Sequence, residues 1–190
     1  HGKDAHGHGG HAAKKTAKAG SDGHLWLDPQ NARVIVQHMA EVLATVTPEH
    51  AARYRQNAAA LGARLDDLGR RLADDMKPFS SRPFLVFHDA YQYFERRFGL
   101  ISAGAIAVSP EVPPSAQRIS QIRALLAAKG ALCVFAEPQF PPRTIETVIE
   151  GTAVRRGTLD PLGANLTAGP GLYVAVLEGL ARDLKNCLGD

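Results

Sequence analysis

The spacing of apolar residues along the chain predicts two successive helices in its first half. Apolar side chains recur every three or four positions from residue 29 to 46, after Asp28 as an N-cap and Pro29 at the first helical position. The same spacing continues over residues 48–78, with Thr47 as the predicted cap and Pro48 just inside the helix. A helix of roughly 30 residues spans about 45 Å, so we interpret residues 48–78 as a long helix linking two lobes. A coiled-coil dimer is the alternative, although its heptad pattern lasts only about three heptads.

After residue 78 the pattern changes to short apolar strands that alternate with helices. Strands are predicted at 84–88, 100–108, 131–137 and 154–160, and helices at 90–98, 115–130, 142–151 and 172–188. This alternation is typical of an α/β fold with a four-stranded parallel sheet, and residues 79–190 form the predicted C-terminal β/α lobe. Right-handed crossovers place the carboxyl ends of the strands along one edge of the sheet, where such folds bind ligands.

The first 23 residues have a different composition. They contain four of the chain's eight histidines and no large apolar side chain. They cannot bury enough surface to fold, so we predict that residues 1–23 are a flexible His-rich loop. Its imidazoles form a candidate secondary metal site: His1, His6, His8 and His11. Because the chain opens on this low-complexity tract without Met, we expect it to be a fragment.

Composition supports a folded domain and argues against two classes of partner. Hydrophobic residues make up 45% of the 190 residues, which is enough for a core. The longest apolar run, residues 131–136, is far shorter than the roughly 20 residues that cross a bilayer. The net charge of +3 arises partly from lysines in the His-rich loop, and no basic stripe carries interleaved aromatic residues. We therefore expect no nucleic-acid partner.

Two histidines and one carboxylate stand at positions that suggest a metal site. His88 directly follows the apolar run of residues 84–87, Asp160 ends another predicted strand, and His24 precedes the motif LWLDP. Imidazole nitrogens and a carboxylate suit Zn²⁺, which prefers four ligands in a tetrahedral arrangement. Spacing alone does not establish the site, because 64 residues separate the two histidines. The prediction is that His24, His88 and Asp160 bind zinc.

Two further carboxylates lie close to these residues in the predicted fold. Asp89 is expected to cap a helix that starts at Ala90, and its alternative role is to orient a neighbouring imidazole. Glu137 ends a predicted strand, and a zinc-dependent hydrolase would use it as the general base beside a metal-bound water. An open coordination position and a substrate cleft would distinguish such a hydrolase from a metal carrier. A lobe that only stores metal in the His-rich loop is a third class.

The two cysteines leave two interpretations open. Cys133 lies in a predicted strand and Cys187 near the end of the last predicted helix, and they do not form a C-x-x-C pair. They are either two buried thiols of a cytosolic protein or a disulfide that implies an oxidising compartment. A disulfide closing that loop would stabilise the fold by about 4 kcal/mol in the chain-entropy model.

Four motifs together resemble the zinc-specific solute-binding proteins of ABC transporters, the ZnuA type of periplasmic zinc-uptake protein. The motifs are GHLWLDPQNA, VFHDAYQYFE, CVFAEPQF and GTLDPLG, and they follow the family's order over the whole chain. The resemblance implies two lobes joined by a long helix, with zinc bound in the cleft between them. The implied function is high-affinity capture of Zn²⁺ in the periplasm and its delivery to an inner-membrane ABC permease, by a monomer and without catalysis.

The same resemblance carries implications for individual residues. It implies that His24, His88 and Asp160 surround the metal, and that His88 favours zinc, because manganese-binding relatives carry Glu there. It also implies a disulfide between Cys133 and Cys187, and a mobile His-rich loop that gathers zinc or senses its supply. The family supplies another His upstream of that loop. We therefore expect residues 24–47 to be the closing part of an otherwise missing first lobe, and the principal site to lack one ligand.

Overall fold

The computed structural model of the chain describes residues 22–107 and 114–189. The His-rich loop histidines therefore lie outside the described residues, as does the end of the second predicted strand. The described helices are α1 (Pro29–Val46), α2 (Ala51–Met76), α3 (Gln92–Phe98), α4 (Ala116–Lys129), α5 (Arg143–Ile149) and α6 (Leu172–Leu188). The described strands are β1 (Phe84–Val86), β2 (Ser102–Ala105), β3 (Cys133–Ala136) and β4 (Arg155–Thr158). The predicted succession of strands and helices is confirmed, although each strand is shorter than its predicted range.

The four strands form one parallel sheet in the order β2-β1-β3-β4. The chain leaves β1 toward one side of the sheet to form β2, and then crosses to the other side of β1 to form β3 and β4. β1 and β3 are therefore neighbours at the point where the direction of strand order reverses, and ligands of open α/β sheets bind at this point. The residues that follow these two strands, His88 and Glu137, reach the same edge of the sheet.

Helices cover both faces of the sheet because the side chains of its central strands alternate between two apolar clusters. Phe84 and Phe135 belong to the cluster that includes α2, α3 and α6, and their rings pack edge to face with centroids 5.6 Å apart. Leu85 and Val134 point into the other cluster, with residues of α4 and α5. All four side chains are essentially inaccessible to solvent. Continuous apolar runs are expected for strands that are buried on both faces.

The predicted long helix is present, but its ends differ from the prediction. Residues Pro48–His50 and Lys77–Phe79 form 3-10 turns that flank α2. Thr47 does not cap the helix with its side chain, so that prediction is wrong; its hydroxyl instead donates to the Leu43 carbonyl at 3.1 Å, at the end of α1. α2 packs along α1 and, through buried Leu65, Leu68, Leu72 and Met76, against the cluster that contains α6. No described helix is both long enough and apolar enough to span a bilayer.

A disulfide joins the sheet to the last helix. Cys133 in β3 and Cys187 in α6 are bonded, with their Cα atoms 6.1 Å apart and 54 positions between them in sequence. Both residues belong to the apolar cluster on the α6 face of the sheet. The disulfide interpretation is thus confirmed over the alternative of two buried thiols.

Residues 88–91 form a turn between β1 and α3. The Ala90 amide donates to the His88 carbonyl at 2.9 Å, and α3 begins only at Gln92, with no side chain capping its first turn. The predicted helix start at Ala90, and with it the capping role of Asp89, are therefore wrong. The turn intervenes because Ala90 and Tyr91 are drawn into the core, with at most 2% of their surface exposed.

Candidate metal centre

His88 is held by a buried carboxylate at the switch point of the sheet. Its Nδ1 lies 2.6 Å from Oε1 of Glu137, and its backbone amide donates to the same oxygen at 3.4 Å. Only 3% of Glu137 and 15% of the His88 side chain are exposed. A neutral imidazole that donates its Nδ1–H to a carboxylate presents an unprotonated Nε2, and this is the form that binds a metal ion.

His24 has a similar arrangement with a different carboxylate. Its Nδ1 lies 2.6 Å from Oδ1 of Asp22, which also accepts the backbone amide of His24 at 3.0 Å. Burial raises the pKa of Asp22, but hydrogen bonds from the His24 backbone and side chain and from Gln92 outweigh this effect and hold the pKa below its ordinary value. Asp22 therefore stays ionised and, like Glu137, leaves the Nε2 of its imidazole available.

The structure brings these two imidazoles together. The ring centroids of His24 and His88 are 5.3 Å apart, and the rings meet edge to face at 62°. His24 reaches this position because it immediately precedes a 3-10 turn, Leu25–Leu27, whose last residue is fully buried. Two residues that are distant in sequence thus form a side-by-side pair at the carboxyl edge of the sheet.

Asp160 lies on the loop after β4, and its carboxylate is engaged by that loop. Oδ1 accepts the amides of Leu162 and Gly163 at 3.2 and 2.9 Å, and Oδ2 accepts the amide of Ala164 at 2.6 Å. The side-chain amide of Gln139 donates to Oδ1 at 2.8 Å. Each carboxylate oxygen has two lone-pair directions, so Oδ2, with one hydrogen bond, retains an acceptor site.

The loop that carries Asp160 borders the histidine pair. Trp26, two residues after His24, donates its indole N–H to the Pro161 carbonyl at 3.2 Å. Tyr91 lies among the same groups: burial raises its pKa well above the ordinary value, and the nearby Glu137 and Asp160 carboxylates raise it further. Within residues 22–107 and 114–189, however, no three His, Cys, Asp or Glu side chains form a group that is arranged to hold a metal ion. The three-ligand set of His24, His88 and Asp160 stays a prediction.

The carboxylates around the histidine pair have no lysine or arginine partner in the described residues. Asp22, Glu137 and Asp160 make no ion pair with any lysine or arginine in the described part of the chain. In that part of the chain the basic side chains that pair with Asp22 and Glu137 are His24 and His88, respectively. Carboxylates withdrawn from water without a cationic partner favour a bound cation, because desolvation strengthens the attraction between opposite charges.

The site uses two carboxylates differently from the sequence-based expectation. In the alternative of a zinc hydrolase, Glu137 acts as a general base; the structure shows it buried and hydrogen-bonded to the His88 imidazole. The role of orienting the imidazole, considered for Asp89, falls to Glu137, 49 positions away from His88. The position of Glu137 at a strand end was a usable signal, but Asp22 gave none, since it lies within the tract that was predicted to be flexible.

Comparison with known proteins decides the family. The model of the ZnuA family, described as zinc-uptake complex component A, periplasmic, matches residues 1–187. The chain belongs to the ZnuA family. It is 53% identical over 167 residues to the high-affinity zinc uptake system protein ZnuA of Brucella abortus, a match that covers 88% of this chain and 50% of that protein. The chain thus spans about half the length of the curated relative.

Solved structures agree with this family assignment. The fold is similar to a crystal structure of ZnuA, with a TM-score of 0.78 and 28% identity over 89% of this chain and 63% of that one. It is also similar to a Zn(II)-bound variant of AdcAII from Streptococcus pneumoniae, with a TM-score of 0.72 and 27% identity over 88% of this chain and 62% of the other. The predicted fold class is therefore confirmed for this ZnuA-family chain.

Replacing Glu137 by glutamine tests its role beside His88. Glu137→Gln keeps the shape of the side chain but removes the negative charge that would make the imidazole a stronger ligand; if His88 binds zinc, we expect the affinity to fall by about 10-fold to 100-fold. Competition titration with a chromophoric chelator measures the change. The matched control is Glu146→Gln, which alters an exposed carboxylate on α5. Equal affinities for the two variants would show that Glu137 does not act on the metal site.

Proposed function

We propose that this chain contains the metal-binding part of a non-enzymatic carrier, which captures Zn²⁺ in the periplasm and delivers it to an ABC permease of the inner membrane. The observation that carries the proposal is the pair of imidazoles, His24 and His88, each held at Nδ1 by its own carboxylate. The family match supports zinc as the cargo, because the family is described as a periplasmic zinc-uptake component.

The separation of the two rings suits a shared zinc ion. Zinc binds imidazole nitrogen at about 2.0–2.1 Å, and a tetrahedral angle then places the centroids of two coordinated rings about 5.2 Å apart. The observed separation is 5.3 Å. The His24–His88 pair therefore requires little rearrangement of its ring positions to bind one ion through both Nε2 atoms.

Asp160 is the proposed third ligand. Its loop contacts the segment that follows His24, and its Oδ2 keeps one acceptor site beside the bond from the Ala164 amide. Two imidazoles and a carboxylate match the ligand preferences of zinc and leave one position for a further ligand.

A carrier fits the site better than a zinc hydrolase. A hydrolase requires a general base beside the metal-bound water, but Glu137 is 97% shielded from solvent and bonded to His88. The family, moreover, consists of zinc-uptake components. A periplasmic location also agrees with the Cys133–Cys187 disulfide, because such bonds persist in oxidising compartments.

The remaining parts of the proposal concern the His-rich loop (residues 1–23, also called the tract below), the domain organisation and the partners. We propose that His1, His6, His8 and His11 form a secondary zinc site, that the carrier is monomeric, and that the ABC permease is its protein partner. Residues 24–47 and 48–78 are proposed as the closing part of a first lobe and the linking helix. Support for the last point is that α2 packs along α1, and that its buried Leu65, Leu68, Leu72 and Met76 belong to the apolar cluster on the α6 face of the sheet.

Zinc titration of histidine variants tests the principal site. In a chain whose four tract histidines are replaced by alanine, we expect one zinc ion to bind, because His24, His88 and Asp160 are unchanged. Adding His88→Ala or His24→Ala is expected to weaken that binding by about 100-fold or more, since a direct ligand is lost. His38→Ala, an exposed histidine on α1, is the matched control.

The same titration separates the proposed carrier from a metal-storing lobe. Storage in the tract predicts that all zinc binding disappears once the four tract histidines are replaced. Retention of one site that depends on His24 and His88 supports the carrier. Loss of all binding, or binding that is indifferent to both substitutions, would overturn the proposal.

A further inference from the structure

His24 lies in a short segment that is tied to the rest of the fold at several points. We call residues 22–28 the His24 segment. Tyr173 of α6 donates its hydroxyl to the Trp26 carbonyl at 2.7 Å, and Leu27 inserts fully into the core. At its first residue, the Asp22 carbonyl accepts the hydroxyl of Tyr93 at 3.2 Å. These contacts hold the segment against the lobe that carries His88.

The strongest of these contacts lies at the end of the segment. Arg97 donates from Nε to Oδ1 of Asp28 at 2.7 Å and from Nη2 to Oδ2 at 2.6 Å. The Asp28 side chain is only 9% exposed, whereas that of Arg97 is 40% exposed. A two-pronged guanidinium–carboxylate pair fixes direction as well as distance, and loss of the arginine leaves a buried charge without its partner.

The two residues that hold the ends of the segment lie on one helix. Tyr93 and Arg97 are four positions apart in α3 and therefore on the same helix face. α3 directly follows the turn that begins at His88, so the position of the helix and the position of this histidine are coupled through a few residues of backbone. The contact of Arg97 with Asp28 thus joins the element that carries His24 to the element that carries His88.

From this arrangement we infer that Arg97 is a positioning residue for the metal site, which acts through Asp28 to set the separation of the two imidazoles. The inference rests on the proposed function, since it assumes that His24 and His88 bind one zinc ion. Arg97 contacts neither histidine. Its effect on zinc is indirect: a His24 segment that is not held by Arg97 must be ordered when the metal binds, and this lowers affinity.

Arg97→Gln in the chain whose tract histidines are alanine is the principal test. We expect zinc affinity to fall by about 3-fold to 10-fold, because the metal must then order a His24 segment that is no longer held in place. Arg97→Lys retains charge but not the two-pronged geometry, so we expect an intermediate loss. Arg96→Gln, an exposed arginine on the same helix, is the matched control and should change affinity less than twofold.

A spectroscopic measurement distinguishes positioning from general stability. Co²⁺ substitutes for zinc, and its visible absorption depends on ligand geometry. We expect the spectrum of Co²⁺-loaded Arg97→Gln to differ from that of the parent chain, while that of Arg96→Gln superimposes on it. Circular dichroism verifies that each variant is folded, and Arg97→Lys provides the comparison if Arg97→Gln does not fold.

A double variant tests the route through Asp28. Asp28→Asn removes the buried charge but retains a good N-cap for α1, which Asp28 caps through the Gln30 amide. If Arg97 acts through Asp28, the Asp28→Asn/Arg97→Gln pair should bind zinc no more weakly than Arg97→Gln alone. Losses that multiply would overturn the inference.

Different experimental results would overturn the proposed function and the positioning role of Arg97. If the parent chain does not bind zinc, or if His24→Ala binds as tightly as the parent, the proposed function is wrong. If the parent binds zinc, His24→Ala weakens binding, and Arg97→Gln behaves as Arg96→Gln does in affinity and cobalt spectrum, only the positioning role of Arg97 is wrong.

Discussion

Replacing both Cys133 and Cys187 by alanine is expected to lower the free energy of unfolding by about 4 kcal/mol. The disulfide closes a loop of 54 positions, and its removal restores conformational entropy to the unfolded chain. For a protein of this length the change corresponds to a decrease in Tm of about 8–16 °C. Alanine avoids leaving hydroxyl groups in sites that are at most 5% exposed. Thermal and urea unfolding followed by circular dichroism measure the loss.

The same measurements provide an internal control. The chain has no other cysteines, so a reducing agent should destabilise the parent to nearly the level of the double variant and leave the variant unchanged. A parent whose unfolding midpoint is insensitive to reduction would contradict the prediction. It would mean that packing of α6 against the sheet, rather than the bond, supplies the stability.

Glu95→Gln is expected to stabilise the fold at pH 8 by about 3 kcal/mol relative to the parent. Burial, and to a smaller extent the nearby Asp89, raise the pKa of Glu95 from 4.5 to about 7, although Ser102 and Arg96 partly oppose this shift. One of its oxygens is buried without a hydrogen-bond partner. At pH 8 the folded protein must hold this carboxylate ionised in a poorly solvated position, and the shift in pKa measures that cost.

The direction in which stability changes with pH follows from proton binding by Glu95 in the folded and unfolded states. Between pH 4.5 and 7 the folded state keeps the proton of Glu95 and the unfolded state loses it, so stability declines as pH rises through this window. Glutamine removes this dependence, and the gain over the parent should vanish below about pH 4.5. Urea unfolding at pH 5 and pH 8 measures the difference in the free energy of unfolding between Glu95→Gln and the parent. The control is Glu150→Gln, which alters an exposed carboxylate. A gain at pH 8 no larger than that at pH 5 would contradict the assignment.

The His88–Glu137 pair is organised by the buried structure of the sheet. His88 lies two positions beyond the end of β1, Glu137 directly follows β3, and the pair lies where strand order reverses. The disulfide anchors the same strand, β3, to α6. A change in the packing of β3 is thus expected to reach the His88 imidazole through Glu137.

Local signals in the sequence were sufficient for the elements of this fold. Asp28 and Pro29 predicted the start of α1, and the side chain of Asp28 accepts the Gln30 amide at 2.8 Å as an N-cap should. The last helix was predicted with the bounds it has, Leu172–Leu188. Such signals work because helix caps and apolar periodicity act over a few residues. Resemblance in four motifs supplied the family, which the comparisons confirm.

By itself, then, the sequence determined the order of helices and strands, the strand-end position of His88 and the family. Only the tertiary structure decided that Glu137 and Asp22 hold the imidazoles, that Asp160 is bonded to its own loop, and that residues 88–91 form a turn. The physical reason is that these partners are chosen by strand order and packing. Glu137 meets His88 because β1 and β3 are neighbours in the sheet, and no short-range pattern encodes a contact between residues 49 positions apart.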